Sequence, residues 1–295
     1  MSYKKLKRVN IEISSVCNLA CSFCHRVERK KPYMDLDLFR HIVKQVVPMT
    51  EIISTHLMGE PLMHPQFILI LEAAQKEAAK VDVTSNGLLI EDFGDFFKNP
   101  CVRQINISLQ SALDQLHAEK LESHHERIFS FVERASRLRP DLFINFRLWN
   151  LKSLSRIDES GVNVIKEILN RFGTKMDVAF DAANLKKSKK LKDRIYLHFN
   201  TLFDWPNHDG PVLHERGFCY GLSSHFGVLS NGHIVPCCLD RDGTIDLGDA
   251  KNESIKDVLQ KPRAIAMKNG FDKGILVEGL CKRCSYIDRF CHKSK

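Results

Sequence analysis

From residue 9 to about residue 182 the chain alternates runs that read as strands with runs that read as helices, and this most narrows its fold. The strand-like runs are Val9–Ile13, Glu51–Leu57, Val81–Ser85, Gln104–Leu109, Leu142–Trp149 and Met176–Asp181. Between them lie helical patterns: Asp35–Val47, with apolar Leu36, Phe39, Val43 and Val46 on one face, then Gln66–Lys80, Glu91–Lys98, His124–Leu138 and Val162–Phe172. Strands alternating with helices build parallel βαβ units. From Ala183 the alternation stops. Residues 183–210 are basic and then rich in turn formers, as in Asp204-Trp-Pro-Asn-His-Asp-Gly210. Residues 211–295 hold six cysteines, strand candidates His225–Leu229 and His233–Val235, and a short helix at Ser254–Leu259. The expected division is therefore 1–182, a bridging segment 183–210, and a small domain 211–295.

The first strand candidate runs into Ile13-Ser-Ser-Val-Cys-Asn-Leu-Ala-Cys-Ser-Phe-Cys-His25, where Cys17, Cys21 and Cys24 are spaced C-x3-C-x2-C with Phe23 before the last. Thiolates are soft ligands that select zinc, copper(I) or iron–sulfur clusters. A four-iron cluster normally takes four cysteines. Three leave one iron open, and an open position is what a catalytic metal site keeps. The same spacing would also put three small apolar residues on one helical face. Against that, Val9–Ile13 alternates like a strand, and Asn18 and Ser22 break a helical stripe. A second set, Cys219, Cys237, Cys281 and Cys284, suffices to close one cluster, or a structural Zn(Cys)4 site. Cys238 and Cys291 could each replace one of those ligands or be spare thiols, and Cys101 reads as a core residue.

Composition narrows the setting. No run of the 295 residues approaches the ~18 apolar residues of a membrane helix. The basic start, Met-Ser-Tyr-Lys-Lys-Leu-Lys-Arg8, leads into a polar-alternating strand rather than a signal-peptide apolar region. Ten cysteines grouped at short spacings, with no such signal, point to metal ligation in a reducing cytoplasm. The net charge of +8 has its densest patch at Lys186-Lys-Ser-Lys-Lys-Leu-Lys-Asp-Arg194, read as a solvated helix or linker. No aromatic residues are interleaved there to stack bases, which speaks against a nucleic-acid partner.

The C-x3-C-x-aromatic-C loop after the first strand resembles that of the radical S-adenosylmethionine (radical SAM) enzymes. The resemblance implies an α/β fold, an open partial (β/α)6 barrel with its site at the C-terminal strand ends. It implies a [4Fe-4S] cluster on Cys17, Cys21 and Cys24, with Phe23 in the cofactor loop and SAM chelating the fourth iron. One electron from the cluster would then cleave SAM to methionine and a 5′-deoxyadenosyl radical, which takes a hydrogen atom from substrate. Met58-Gly-Glu-Pro-Leu62 after the second strand is similar to the family's G-E-P motif. A carboxylate with exposed carbonyls suits an ammonium group, and a glycine allows close approach. Gly59, Glu60 and Pro61 are thus implied to hold SAM's amino group. Thr84-Ser-Asn-Gly87 and Ile107-Ser-Leu-Gln110 end the next two strands. Ser85, Asn86 and Ser108 are implied ribose and methionine contacts, though Asn86-Gly87 alone also reads as a plain turn. Arg147, a charge among apolar neighbours on the fifth strand, could pair with SAM's carboxylate or form a structural ion pair. Gln110 stands where many relatives have an acidic residue and receives no role.

The C-terminal cysteines resemble a SPASM extension in its shorter, twitch-type form. That implies one auxiliary [4Fe-4S] cluster on Cys219, Cys237, Cys281 and Cys284. The expected function is a radical SAM oxidoreductase whose auxiliary cluster accepts an electron or positions substrate. The expected substrate is a peptide or protein, modified as by a maturase, or a small sugar-like alcohol; the expected electron donor is a flavodoxin or ferredoxin. Two other readings are a non-catalytic iron–sulfur or zinc scaffold and an RNA-modifying enzyme. The intact cysteine loop with Gly59-Glu60-Pro61 argues against the first, and the lack of an RNA-binding appendage against the second. Asp181, Asp204 and Asp240 are candidate general bases, none of them singled out by a motif.

Overall fold

The computed structural model of the chain describes residues 5–151, 159–173 and 187–293, apart from 26, 28 and 31. Its barrel half runs β1 (Arg8–Ile11), α1 (Leu36–Val46), β2 (Ile53–Ser54), α2 (Phe67–Lys76), β3 (Val81–Ser85), β4 (Val102–Ser108), α3 (Leu109–Gln115), α4 (Ala118–Leu138), β5 (Phe143–Leu151) and α5 (Glu159–Phe172). Then come β6 (Ser188–Lys190), β7 (Ile195–Thr201), β8 (His225–Val228), β9 (His233–Val235), β10 (Gly248–Asp249) and the short helices α6 (Ile255–Val258), α7 (Pro262–Asp272) and α8 (Gly279–Lys282). A 3-10 segment, Ser285–Lys293, follows. The strands form one ten-stranded sheet in the order β10-β9-β8-β1-β2-β3-β4-β5-β7-β6. Strands β1 to β5 and β7 are all parallel, the six-strand wall of a partial barrel.

Alternation along each strand separates two chemistries. Val9 and Ile11, Val81 and Val83, Ile105 and Ile107, and Ile144 and Phe146 are fully buried in one apolar cluster with Phe39, Ile42 and Val43 of α1 and Ile70 of α2. The alternate residues are polar yet also buried: Asn10 and Glu12, Ser54, Asp82, Asn106, Asn145 and Arg147. Full barrels fill their interior with branched apolar side chains. Here hydrogen-bonded amides do so, with Asn145 Nδ2 donating to Asn106 Oδ1 (2.8 Å) and Asn106 Nδ2 to Thr84 Oγ1 (3.1 Å). Pairing of this kind offsets the desolvation of buried polar groups. Helix α1 starts where the sequence places it, because Asp35 accepts hydrogen bonds from the N–H groups of Asp37 and Leu38.

Several elements differ from the sequence reading: β2 is shorter than Glu51–Leu57, α4 starts six residues before His124, and α3, α7 and α8 are additional. Glu91–Lys98 is not an α-helix but turns ending in a 3-10 turn, Phe96–Lys98, with Gly94 at φ +54°. The sixth parallel strand is β7, inside the expected bridging segment, where Ile195, Leu197 and Phe199 are buried in alternation with half-buried Tyr196, His198 and Asn200. The expected strand Met176–Asp181 lies outside the described residues. The lysine-rich run supplies β6, an antiparallel edge strand on β7, instead of a solvated helix or linker. Charged residues on an edge strand discourage further strand pairing. Strand β8 pairs in parallel with β1, so the β8–β9 hairpin continues the barrel's own sheet. No helix among the described residues is long and apolar enough to cross a membrane.

Candidate functional site

A cavity of about 510 Å³ opens at the C-terminal strand ends. Cys17, Cys21 and Cys24 line it together with Phe23, Gly59, Glu60, Ser85, Asn86, Ser108 and Arg147. Cys219, Cys237, Cys281 and Cys284 line the same cavity, as does Cys238. Of the residues singled out in the sequence, Pro61 is not on its wall; it begins the 3-10 turn Pro61–Met63. The described residues say nothing of the Cys291 side chain.

The cysteine loop has no regular structure, so other elements must hold it. A turn forms as Cys24 N–H donates to the Cys21 carbonyl (3.0 Å). At the end of α3, Asp114 accepts from Ser22 N–H (2.7 Å) and Gln115 from Ala20 N–H (3.2 Å). Trp205 Nε1 donates to the Phe23 carbonyl (3.1 Å), and its ring meets His25 edge-on. At the loop's root Glu12, wholly buried, pairs with Arg29 (2.6 Å). Glu12 also accepts from Met58 N–H and Ser230 N–H (3.3 Å each), joining the loop to the G-E-P turn and the C-terminal region. The sequence reading missed Asp114, Gln115, Trp205, Glu12 and Arg29. Their partners are 17 to 218 residues away, and no local motif announces such pairs.

The G-E-P turn has a legible physical cause. Gly59 sits at φ +72°, and a Cβ there would lie 2.3 Å from the Ser14 carbonyl oxygen. Glu60 N–H donates to the Val16 carbonyl (2.8 Å), clamping the turn to the cysteine loop. The Glu60 carboxylate accepts from Leu62 N–H (3.1 Å) and Asn86 N–H (2.7 Å). The Ser85 hydroxyl bonds the carboxylate as well, and of the carboxylate's four lone-pair sites one is left for a cationic ligand. Burial pushes the Glu60 carboxyl up to about 7. Asn86 Nδ2 reaches Asn18 Oδ1 (2.8 Å) and the Cys17 sulfur (3.7 Å), so Asn86 positions the cysteine loop. Ser85 Oγ accepts from Gly87 N–H (2.9 Å).

Gly59→Ala and Gly94→Ala make a matched pair. Gly94 is also at positive φ (+54°) but has open space where a Cβ would go. Gly94→Ala should cost only the left-handed backbone, roughly 1–2 kcal/mol in denaturant unfolding. Gly59→Ala should cost more, and should lower the iron held by the loop; equal losses would show that the clamp on Ser14 does not matter.

Arg147 is buried beside Thr84 (3.5 Å) and packs over Trp149 (4.2 Å), with no ion pair among the described residues. Burial, with Arg8 nearby, pushes its guanidinium down to about 9, still charged at neutral pH. Its Nε has no hydrogen-bond partner, and neither has Oε1 of Gln110, a second buried residue of the wall. An unpaired donor and acceptor on one wall suit a polar ligand. Gln110, set aside in the sequence, therefore belongs to the site. Of the candidate bases, Asp204 is exposed, Asp181 lies outside the described residues, and Asp240 is committed to the N–H groups of Thr244 and Ile245 (2.8 Å each). Burial pushes the thiols of Cys21, Cys24 and Cys284 up to about 11 and raises Cys219, Cys237 and Cys281 as well. Such thiols stay protonated until metal binding displaces the proton. Among the described residues, no three His, Cys, Asp or Glu side chains gather tightly enough to hold a single metal ion.

Comparison with known proteins fits this geometry. Residues 11–158 match the radical SAM superfamily and residues 219–285 the SPASM iron–sulfur cluster-binding domain. A protein named Probable GTP 3′,8-cyclase from Methanococcus maripaludis strain C6 is 27% identical over 138 residues, 45% of this chain and 46% of that one. The chain thus matches about half of that relative's length; the strain C7 protein of the same name is 26% identical across 83% of this chain and 89% of its own. Streptococcus suis SuiB superposes with a TM-score of 0.62 at 16% identity, covering 98% of this chain and 75% of that one. BtrN in complex with AdoMet and 2-DOIA superposes at 0.54 and 16% identity, covering 96% and 94%.

Proposed function

The chain belongs to the radical SAM superfamily, and on that premise we propose that it reductively cleaves SAM at a cluster on Cys17, Cys21 and Cys24 and oxidises or cross-links a substrate held against an auxiliary cluster. It is a radical SAM enzyme, with a [4Fe-4S] cluster and SAM as cofactors and a C-terminal domain that binds iron–sulfur. The observation that carries the proposal is one cavity with both cysteine sets on its wall. When bound, the first cluster and SAM supply a 5′-deoxyadenosyl radical for hydrogen abstraction, and the auxiliary cluster an electron acceptor.

The chain's own residues supply position and charge. Glu60, with its remaining lone pair, takes SAM's ammonium group. Arg147 takes the carboxylate through the unpaired Nε, and Gln110 Oε1 accepts from a ribose hydroxyl. Ser108, at the end of β4 on the wall, lies within the same arc. Asn86, already bonded to Asn18, and Ser85, already bonded to Gly87, hold the loop in place. Cys219, Cys237, Cys281 and Cys284 would use all four irons of the auxiliary cluster, leaving no open position for a second SAM. The electron donor is a flavodoxin or ferredoxin. Among structurally similar proteins, SuiB has been solved with a precursor peptide and BtrN with 2-DOIA, and the substrate here belongs to one of these two kinds.

Metal analysis after anaerobic reconstitution tests the two-cluster arrangement. It should give about eight irons per chain, four for each cluster. About four irons with one tightly bound zinc would make the C-terminal site structural and remove the electron acceptor.

A further inference from the structure

We propose that the substrate chamber takes a neutral aromatic side chain presented by a peptide. This rests on the radical SAM reading above and names what enters that site. Trp205, Phe203, Tyr286, Phe290 and Tyr220 form a continuous stretch of the cavity wall. Each ring meets the next tilted or edge-on. Centroids are 5.1 Å apart for Phe203–Trp205, 5.3 Å for Phe203–Tyr286, 5.7 Å for Tyr286–Phe290 and 5.1 Å for Tyr220–Phe290. Aromatic rings prefer these offset and T-shaped arrangements, so a further ring extends the series favourably. Arg289 braces the wall from behind, stacked over Tyr286 (4.7 Å) and Phe203 (5.6 Å). Its guanidinium is fixed by Asn200 Oδ1 (2.7 Å) and the carbonyls of Thr201 (2.9 Å) and Leu202 (3.1 Å). A braced wall loses little freedom when a ligand binds.

Charge excludes other ligands. Among the described residues, Arg147 is the one lysine or arginine on the wall, and SAM's carboxylate uses it. The wall's histidines are neutral at pH 7. Burial with Arg147 and Arg8 nearby pushes His56 down to about 3, and burial with Arg8 nearby pushes His225 to about 4. Among the described residues, a nucleoside triphosphate would find no further cation for its phosphates. An amino sugar would find the Glu60 carboxylate taken by SAM's ammonium group and the Asp240 carboxylate turned to the N–H groups of Thr244 and Ile245. Leu202 and Trp149 carry the wall out to solvent, 43% and 36% exposed. Among the described residues the mouth is thus apolar, and a side chain can enter while its backbone stays outside.

Ligand-observed NMR on the reconstituted, SAM-loaded protein tests this with N-acetyl-phenylalaninamide, N-acetyl-lysinamide, glucosamine and GTP as probes. The phenylalaninamide should bind at least about tenfold more tightly than the other three. Phe203→Leu and Tyr286→Leu should each weaken it several-fold at unchanged iron content. No saturable binding of the phenylalaninamide, tighter binding of GTP or glucosamine, or a preference unmoved in both variants overturns the proposal. Failure of the radical SAM reading is distinguishable, since it shows as wild-type protein that does not cleave SAM at all.

Discussion

Cys24→Ala protein should form no detectable 5′-deoxyadenosine from SAM under strong reductant, a loss of at least about 1,000-fold, because the chemistry belongs to a cofactor that two cysteines cannot hold firmly. Its iron should fall from about eight to about four per chain. The turn that brings Cys24 back over Cys21 depends on a backbone hydrogen bond, so the alanine chain can keep its path while losing the ligand. Cys101→Ala is the control. Cys101 is buried, its thiol donates to the Leu71 carbonyl (3.4 Å), and it does not reach the cavity. Its replacement should lower stability while leaving SAM cleavage within about twofold, as a cavity change remote from the site does. Undiminished cleavage in Cys24→Ala would sink the ligand assignment.

The second large effect separates the two cysteine sets. Cys281→Ala with Cys284→Ala should leave SAM cleavage intact and stop product formation. Hydrogen abstraction leaves a carbon radical that must lose one more electron to become an oxidised product. A fully ligated cluster can accept it, with a potential set by burial and by hydrogen bonds to its sulfurs. The structure supplies such bonds, among them those from the Gly221 N–H to the Cys219 sulfur (3.4 Å) and from the Tyr286 and Ile287 N–H groups to the Cys284 sulfur, in a wall where burial is the main influence on every thiol. The measurement is product formed alongside iron content. Full product from a double variant with about four irons would reduce the C-terminal region to docking.

Much of the barrel is legible because its signals are local. Period-two alternation locates β3 to within a residue and β4 and β5 to within two, and the Asp35 cap marks the start of α1. The G-E-P turn is legible for a related reason: φ +72° and contact with Ser14 admit only glycine, so the requirement appears in the sequence itself. What escapes is set by distant partners. Ile195–Thr201 alternates as clearly as any strand, yet turn formers on one side and lysines on the other favour reading it as a linker. The pairing of β8 with β1 closes more than two hundred residues of chain, and nothing local in His225–Val228 points to Arg8–Ile11. Glu91–Lys98 has a helical pattern that Gly94 interrupts at φ +54°. In the site, cysteine spacing marks both sets, whereas the bonds that hold them around one cavity involve Glu12, Arg29 and Trp205, whose partners lie far along the chain.

One measurement bears most directly on the central claim: mass spectrometry of reconstituted wild-type protein incubated anaerobically with SAM and dithionite. The account predicts 5′-deoxyadenosine and methionine in equal amounts, formed slowly without substrate and absent when reductant is omitted. Protein that carries its full iron yet forms neither would contradict it.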